Sequence, residues 1–244
     1  MTIRYSVVIP IKNEEENITH LIEEVEPVMM KLGHPWELIC VDDGSTDQSL
    51  SLLEGLCKNK PYLRVLSFQQ NYGQSSAFAA GFEAAKGEFV ITLDGDGQND
   101  PQDIPKLTAM IQECDLVVGW RIDRKDPLSK KVISKISNRI RSKLCQDGVH
   151  DTGCSLKIYR ASALKKIKMY KGMHRFLPAL FLIEEFKVKE IPVRHRERTK
   201  GKTKYHFFNR SIGPICDMFA VYWMRRRALK HQIREEISYP KVNE

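Results

Sequence analysis

The sequence predicts an α/β domain, with a mainly parallel central sheet flanked by helices and a basic, amphipathic helical extension at its C-terminal end. Three observations carry that prediction. Short β-rich runs alternate with segments of helical period through the first half. Polar clusters follow the first, second and fourth of those runs, at the strand ends where parallel sheets bind ligands. Charge is divided between the halves: residues 1–120 carry 8 Lys and Arg against 19 Asp and Glu, net −11, and residues 121–244 carry 31 against 12, net +19.

The β-rich runs are YSVVIPI at 5–11, ELICV at 37–41, LRVLSF at 63–68, EFVITL at 88–93 and DLVVG at 115–119. Between them, ITHLIEEVEPVMMKL and SSAFAAGFEAAK repeat apolar residues at helical spacing. Strand, helix, strand in repetition implies a parallel sheet covered on both faces. Beyond residue 120 the alternation stops. RKDPLSKKVISKISNRIRSKL reads as a basic loop entering an amphipathic helix, GCSLKIYR as a strand, HRFLPALFLIEEF as an apolar helix and KVKEIPVRHRE as another strand. The segment HRERTKGKTKYHFFNR reads as a basic loop ending in aromatics.

A chain of 244 residues with 42% hydrophobic content has enough apolar surface for a real core. Its six cysteines (Cys40, Cys57, Cys114, Cys145, Cys154 and Cys216) form no CxxC pair and follow no signal peptide, which points to reduced thiols in a cytosolic protein. No uncharged apolar run reaches spanning length. The nearest segment, GPICDMFAVYWM at 213–224, contains Asp217 and is followed by Arg225, Arg226 and Arg227; it suits a helix lying at a membrane interface or one packed on the domain. The seven histidines show no metal-ligand spacing and read as surface or loop residues.

The clusters at the strand ends are KNEEEN, DDGSTD and DGDGQND. Asp94 and Asp96, one residue apart at the end of an apolar strand, are oxygen ligands suited to Mg²⁺ or Mn²⁺, with the Gln98 amide as a third. Such a cation bridges a diphosphate and neutralises charge on a leaving diphosphate. Ser45 or Thr46 is expected to cap the helix after the second strand, leaving Asp42 and Asp43 at the cleft to accept hydrogen bonds from a nucleobase or ribose. Asn13 and Glu14 start a helix beside the same pocket. Neither the dinucleotide fingerprint GxGxxG nor a P-loop is present, so phosphates are left to metal and basic side chains.

VVIPIKNEEENI, VDDGSTD and NYGQSSAFAAGFEAAKGEFVITLDGDGQNDP together resemble family 2 inverting glycosyltransferases of the GT-A fold. LDGDGQNDPQDIPKL, DTGCSLKIYRA, GMHRFLPAL and RTKGKTKYHFFNR are similar to the polyprenyl-phosphate branch, which includes dolichol-phosphate mannosyltransferases and undecaprenyl-phosphate sugar transferases. The resemblance runs from about residue 3 to about residue 210. It implies that Pro10, Asn13, Glu14 and Asp42 contact the nucleoside of a UDP- or GDP-sugar, that Asn71 and Gly73 line the donor site, and that Asp94, Asp96 and Gln98 hold metal and diphosphate. Gln74 stands where relatives often carry Lys. Arg121, Arg198 and Lys204 match positions that clamp donor or acceptor phosphates, with Arg124 and Arg175 as further basic candidates, and Asp151 matches an acidic position near the acceptor. Asp96, Asp151 and Arg121 form the expected catalytic set.

The implied activity is metal-dependent transfer of a sugar to a polyprenyl phosphate at the cytoplasmic face of the membrane, to which the protein is peripherally attached. A lipid phosphate is already an anion and needs no general base, whereas a sugar hydroxyl does; bringing two anions together instead demands cations, as the basic half supplies. The expected division is a catalytic domain over 1–205, with its nucleotide-sugar and metal half in 1–120 and its acceptor half in 121–205, then an interfacial extension over 206–244. Relatives of this branch often continue into spanning helices, and this sequence stops at Glu244 without a run of that kind, so attachment falls to the basic half, to 213–227, or to a membrane partner protein that recruits it; a homo-oligomer is left open. A soluble or cell-envelope glycan acceptor is the alternative, with Asp151, Glu184 or Glu185 as base. A nucleic-acid partner is not expected, because it leaves the three acidic loops unexplained.

Overall fold

The computed structural model describes residues 2–122, 141–142, 144–197, 212–229 and 234–235. Arg124, Arg198 and Lys204 lie outside the described residues, as do most of the basic helix expected after Arg124 and the loop ending in aromatics.

A seven-stranded sheet runs in the order β3-β2-β1-β4-β6-β5-β7. Its strands are β1 (Tyr5–Ile11), β2 (Trp36–Asp42), β3 (Leu63–Ser67), β4 (Phe89–Thr92), β5 (Leu116–Arg121), β6 (Lys157–Arg160) and β7 (Val188–Val193). The helices are α1 (Ile18–Lys31), α2 (Ser49–Cys57), α3 (Gln74–Ala84), α4 (Ile104–Met110), α5 (Ala161–Leu164), α6 (Leu177–Ile183) and α7 (Ile212–Arg227). β1 pairs in parallel with β2 and β4, β2 with β3, and β5 with β7. β6 is antiparallel to both neighbours. It enters from the second half of the chain and separates β4 from β5, an insertion that the regular alternation of the first half does not announce.

Alternate residues of each inner strand feed two cores. Val7, Ile9, Leu38, Cys40 and Ile91 pack on one side with Ile22 and Val25 of α1 and Leu107 of α4. Val8, Ile39, Val41 and Val90 pack on the other with Ala77 and Phe78 of α3 and Leu177 and Phe181 of α6. Burial on both faces explains why these strands read as continuous apolar runs. β5 runs past the expected DLVVG segment and so carries Trp120 and Arg121 within the sheet. The expected helix over HRFLPALFLIEEF is two pieces: a 3₁₀ turn at Met173–Arg175, entered through left-handed Gly172 at φ 85°, and α6, which takes Pro178 in its first turn.

β1 is the point where the sheet divides. Its pairing with β4 ends at Val8, opposite Thr92, while its pairing with β2 continues to Ile11. Even-numbered residues of β1 face β4, since the Val8 carbonyl accepts from the Leu93 N–H at 3.3 Å. Pro10 therefore turns its missing donor toward the side where β4 has already ended, which resolves a proline in a central strand. A crevice opens there, at the carboxyl ends of strands that leave in opposite directions.

Gly44, after β2, has φ +64°, and a Cβ there would lie 2.5 Å from the Gln70 carbonyl carbon. Gly44→Ala is expected to destabilise the fold by roughly 2–4 kcal/mol through left-handed strain and backbone collision. A fall in the urea midpoint checks this; an unchanged midpoint contradicts the close approach of the two loops.

α7 lays Met218, Ala220, Val221 and Met224 against the core shared with α6. Ile215, Phe219 and Trp223 are exposed at 49%, 56% and 62%, a stripe at four-residue spacing on its outer side. Thus both sides of α7 are apolar: one packs on the domain and the other faces outward. No helix among the described residues is long and apolar enough to cross a membrane.

Candidate active site

The loops after β1 and β2 are joined by hydrogen bonds. Asn13, at φ 49°, donates its backbone N–H to Ser45 Oγ at 2.9 Å and accepts from the Thr46 N–H through Oδ1 at 2.8 Å. The Glu14 N–H donates to Ser49 Oγ at 2.8 Å, and Glu14 Oε2 accepts from Asn17 Nδ2 at 2.7 Å. Ser45 and Thr46 are thereby engaged with Asn13, and neither caps the following helix. Its first N–H, from Ser49, is met by Asp47 Oδ1 at 2.9 Å.

The two aspartates after β2 separate in role. Asp43 is a structural residue: its carboxylate accepts the N–H groups of Tyr72 at 2.7 Å and Gly73 at 3.0 Å, which binds the loop after β3 to the loop after β2. Asp42 is 1% exposed; its Oδ2 accepts from the Ser45 N–H at 3.2 Å, and its Oδ1 is buried without a hydrogen-bond partner among the described residues. An orphaned carboxylate oxygen at the end of β2 is placed to receive an N–H or O–H from a ligand. Asn71 is exposed at the head of the neighbouring loop, and Gly73, at φ 91°, precedes α3.

Gln74, the first residue of α3, donates from Nε2 to Asp94 Oδ1 at 2.8 Å. The Asp94 N–H donates to Asn99 Oδ1 at 3.1 Å, and Ser155 Oγ donates to that same oxygen at 2.6 Å. Asp96 Oδ1 accepts from the Gln98 N–H at 3.1 Å. Burial, then the neighbouring charge of Asp96, pushes the Asp94 carboxyl up to about 6. Two carboxylates one residue apart, flanked by amides, with the ionisation of Asp94 opposed by burial and by its neighbour, form a donor set that fits a hard divalent cation. The described residues contain no group of three or more His, Cys, Asp or Glu that could hold a metal.

The raised Asp94 value has a sign. An acid with a higher pKa when folded destabilises the fold once ionised, so stability declines as pH rises from the unfolded value of 3.8 through about 6. In metal-free protein, Asp94→Asn is therefore expected to raise stability at pH 8 by about 1–2 kcal/mol and to change little at pH 4. Urea unfolding at the two pH values checks this, and equal effects at both contradict it.

Across the crevice, Arg121 at the end of β5 meets Asp151 side on, with Nε to Oδ2 at 2.6 Å and Nη2 to Oδ1 at 2.9 Å. Their side chains are 15% and 8% exposed. Burial works against the guanidinium charge, but the Asp151 carboxylate holds its pKa above the ordinary value, and Asp94 adds to this. Glu190 of β7 fixes the approach of Asp151 by accepting from its N–H at 3.0 Å and from the His150 N–H at 2.9 Å. Arg175 sits on the 3₁₀ turn before α6, in electrostatic reach of Asp217 on α7.

The structure thus gathers Pro10, Asn13, Glu14, Asp42, Gly73, Asp94, Asp96 and Gln98 onto the ends of adjacent strands, with Arg121 and Asp151 opposite. Sequence reading missed Lys157, which is 4% exposed, and His174, whose Nδ1 lies 2.6 Å from Ser75 Oγ and whose pKa is pushed down to about 3, chiefly by burial. For Lys157 the signal was available: in LKIYR, residues 157 and 159 share one side of a strand, and Tyr159 is a core residue.

These features coincide with membership of a known group. The model of glycosyl transferase family 2 matches residues 6–168, and the chain belongs to that family. Over 234 residues it is 40% identical to a dodecaprenyl-phosphate galacturonate synthase of Rhizobium johnstonii, covering 93% of this chain and 69% of that protein. Over 204 residues it is 40% identical to an undecaprenyl-phosphate 4-deoxy-4-formamido-L-arabinose transferase of Pectobacterium atrosepticum, covering 83% of this chain and 62% of that one. The chain therefore spans about two thirds of the length of these relatives. Among solved structures, a glucosyl-3-phosphoglycerate synthase of Mycobacterium tuberculosis, in complex with Mn²⁺, UDP and glucosyl-3-phosphoglycerate, superposes with a TM-score of 0.66 at 18% identity, covering 91% of this chain and 79% of that one. The protein is a glycosyltransferase with the GT-A arrangement of sheet and helices.

Proposed function

We propose that this glycosyltransferase moves a sugar from a nucleotide diphosphate to a polyprenyl phosphate, with a divalent cation, at the cytoplasmic face of a membrane. The observation that carries the reading is Arg121, a half-buried guanidinium held side on by Asp151 and within electrostatic reach of the Asp94 carboxylate. The names of the two relatives, both polyprenyl-phosphate enzymes, support the same acceptor.

Asp42 Oδ1 accepts from the nucleobase or ribose, and Asn13 and Glu14, fixed by the bonds between the first two loops, form the wall beside it with Pro10. Asn71 and Gly73 border the donor site from the loop that Asp43 holds. Asp94 and Asp96, with Gln98, would hold Mg²⁺ or Mn²⁺, which supplies charge neutralisation to the departing nucleoside diphosphate. Arg121 receives the acceptor phosphate, whose oxygen attacks the anomeric carbon; no proton has to be removed from a phosphate. Asp151 holds the guanidinium side on through both of its carboxylate oxygens. Arg124, Arg175, Arg198 and Lys204 add positive charge on the acceptor side. Inversion at the anomeric carbon follows the family resemblance.

Residues 1–120 act as the donor half, 121–205 as the acceptor half, and the 206–244 extension as the membrane-facing part. The outward stripe of Ile215, Phe219 and Trp223, beside Arg225, Arg226 and Arg227, suits an anionic lipid surface. Transfer of radiolabel from a panel of UDP- and GDP-sugars, with Mn²⁺ or Mg²⁺, into organic-extractable undecaprenyl or dolichyl phosphate tests the reading. Label in the lipid phase is expected; slow donor hydrolysis with none in lipid retains the glycosyltransferase and removes the lipid acceptor.

A further inference from the structure

We infer that Lys157 is a positioning residue for the reaction: it fixes the turn that holds Asp151 and Arg121 in their side-on geometry, so that the acceptor phosphate meets a preset guanidinium. The inference rests on the functional reading above for the identity of the acceptor, but its geometric content does not.

Lys157 begins β6, which is antiparallel to both of its neighbours, opposite Thr92 of β4 and Val118 of β5. Its side chain is buried in a sheet interior where an aliphatic residue is ordinarily found. The ammonium donates to the carbonyl of Thr152 at 3.3 Å and to the carbonyl of Cys154. Those two carbonyls bracket Gly153. A Cβ on Gly153 would lie 3.1 Å from Arg121 Nη2 and 3.5 Å from Asp151 Oδ1, so the Gly153 backbone is itself a wall of the ion pair. Lys157 therefore secures both sides of the backbone against which Arg121 and Asp151 rest.

Charge places the lysine in the same unit. Burial lowers its pKa, while Asp94 and Asp151 act in the opposite sense and Arg121 repels it. The adjoining Ser155 bonds to Asn99, which in turn holds the Asp94 N–H. One turn, Thr152–Ser155, thus connects the metal-side carboxylate with the phosphate-side guanidinium, and Lys157 is the cation beneath it. A methionine at 157 would fill the volume but leave two buried carbonyls without a donor and the turn without its anchor.

The experiment reads the guanidinium directly and needs no substrate. In ¹H–¹⁵N NMR of the full chain, the Arg121 Nε–H, assigned with Arg121→Lys, is expected as a slowly exchanging signal because Asp151 holds it. Lys157→Met should speed its exchange at least 10-fold and cut kcat for lipid-phosphate transfer 10- to 100-fold, with UDP or GDP binding in Mn²⁺ unchanged. Lys157→Arg, which keeps charge and donors, should restore most of both. In an Asp151→Asn background, Lys157→Met should cost little more activity, whereas a residue serving only general stability would cost as much as in wild type. An unaltered Nε–H in folded Lys157→Met overturns the inference whatever the activity. If Lys157→Met fails to fold, Lys157→Gln, too short to reach both carbonyls, carries the same expectations. A wild-type protein that shows the slow Nε–H but transfers nothing to lipid phosphate overturns the acceptor reading and leaves the positioning role standing.

Discussion

Asp96→Asn is expected to lower kcat at least about 10³-fold, close to 4 kcal/mol of transition-state stabilisation, with Tm equal to or slightly above that of the wild type. Asparagine preserves the shape of the side chain and, through its amide oxygen, the bond accepted from the Gln98 N–H at 3.1 Å, so the loop keeps its form. What disappears is one of the two carboxylates proposed to hold the cation. The change has an internal control. Asp96 is the second cause, after burial, of the raised Asp94 pKa, so Asp94 should titrate lower in the variant. A variant that retains more than a tenth of wild-type turnover contradicts a metal-binding role for Asp96.

Arg121→Ala is expected to have the second largest effect, because it harms stability and turnover together. Removing the guanidinium leaves the Asp151 carboxylate, 8% exposed, without its charge partner, which costs about 3–5 kcal/mol in comparable buried pairs. Arg121→Lys separates the two losses: it keeps a positive charge but cannot meet both oxygens of Asp151 at once. Its expected signature is a smaller loss of stability, about 1–3 kcal/mol, and a 10²- to 10³-fold fall in kcat with nucleotide affinity intact. Urea unfolding, nucleotide titration and steady-state transfer check the three parts. A fall in nucleotide affinity equal to the fall in kcat would place Arg121 on the donor rather than the acceptor.

Much of this architecture was legible in the sequence because it is local. Each of the first four strands is an apolar run bounded by a polar turn, and each polar cluster expected at a strand end is found there, on β2, β1 and β4, three neighbours in the sheet. The antiparallel position of β6 was not legible. GCSLKIYR reads as a strand, but its partners, β4 and β5, lie more than thirty residues earlier in the chain, and pairing over that distance leaves no local pattern.

Within the site, residue type was easier to read than residue task. Asp42 and Asp43 are adjacent and chemically identical, yet Asp43 is spent on the Tyr72 and Gly73 N–H groups while Asp42 keeps an oxygen unpaired. Only the fold of the loop after β3 distinguishes them. Ser45 and Thr46 have the composition of a helix cap and are instead bound to Asn13. His174 has the composition of a surface residue and is tucked against Ser75, kept neutral chiefly by burial. In each case a non-local partner claimed a group whose local preference pointed elsewhere.

In the proposed reaction the acceptor nucleophile is a phosphate oxygen received by Arg121, so that the site works without a base. Its most direct test is a parallel transfer assay with one short-chain polyprenyl phosphate and the corresponding polyprenyl alcohol, the donor and Mn²⁺ held constant. A sugar phosphodiester from the phosphate and no product from the alcohol is expected. A glycoside from the alcohol, with the phosphate inert, would overturn the phosphate acceptor and require a base at the site.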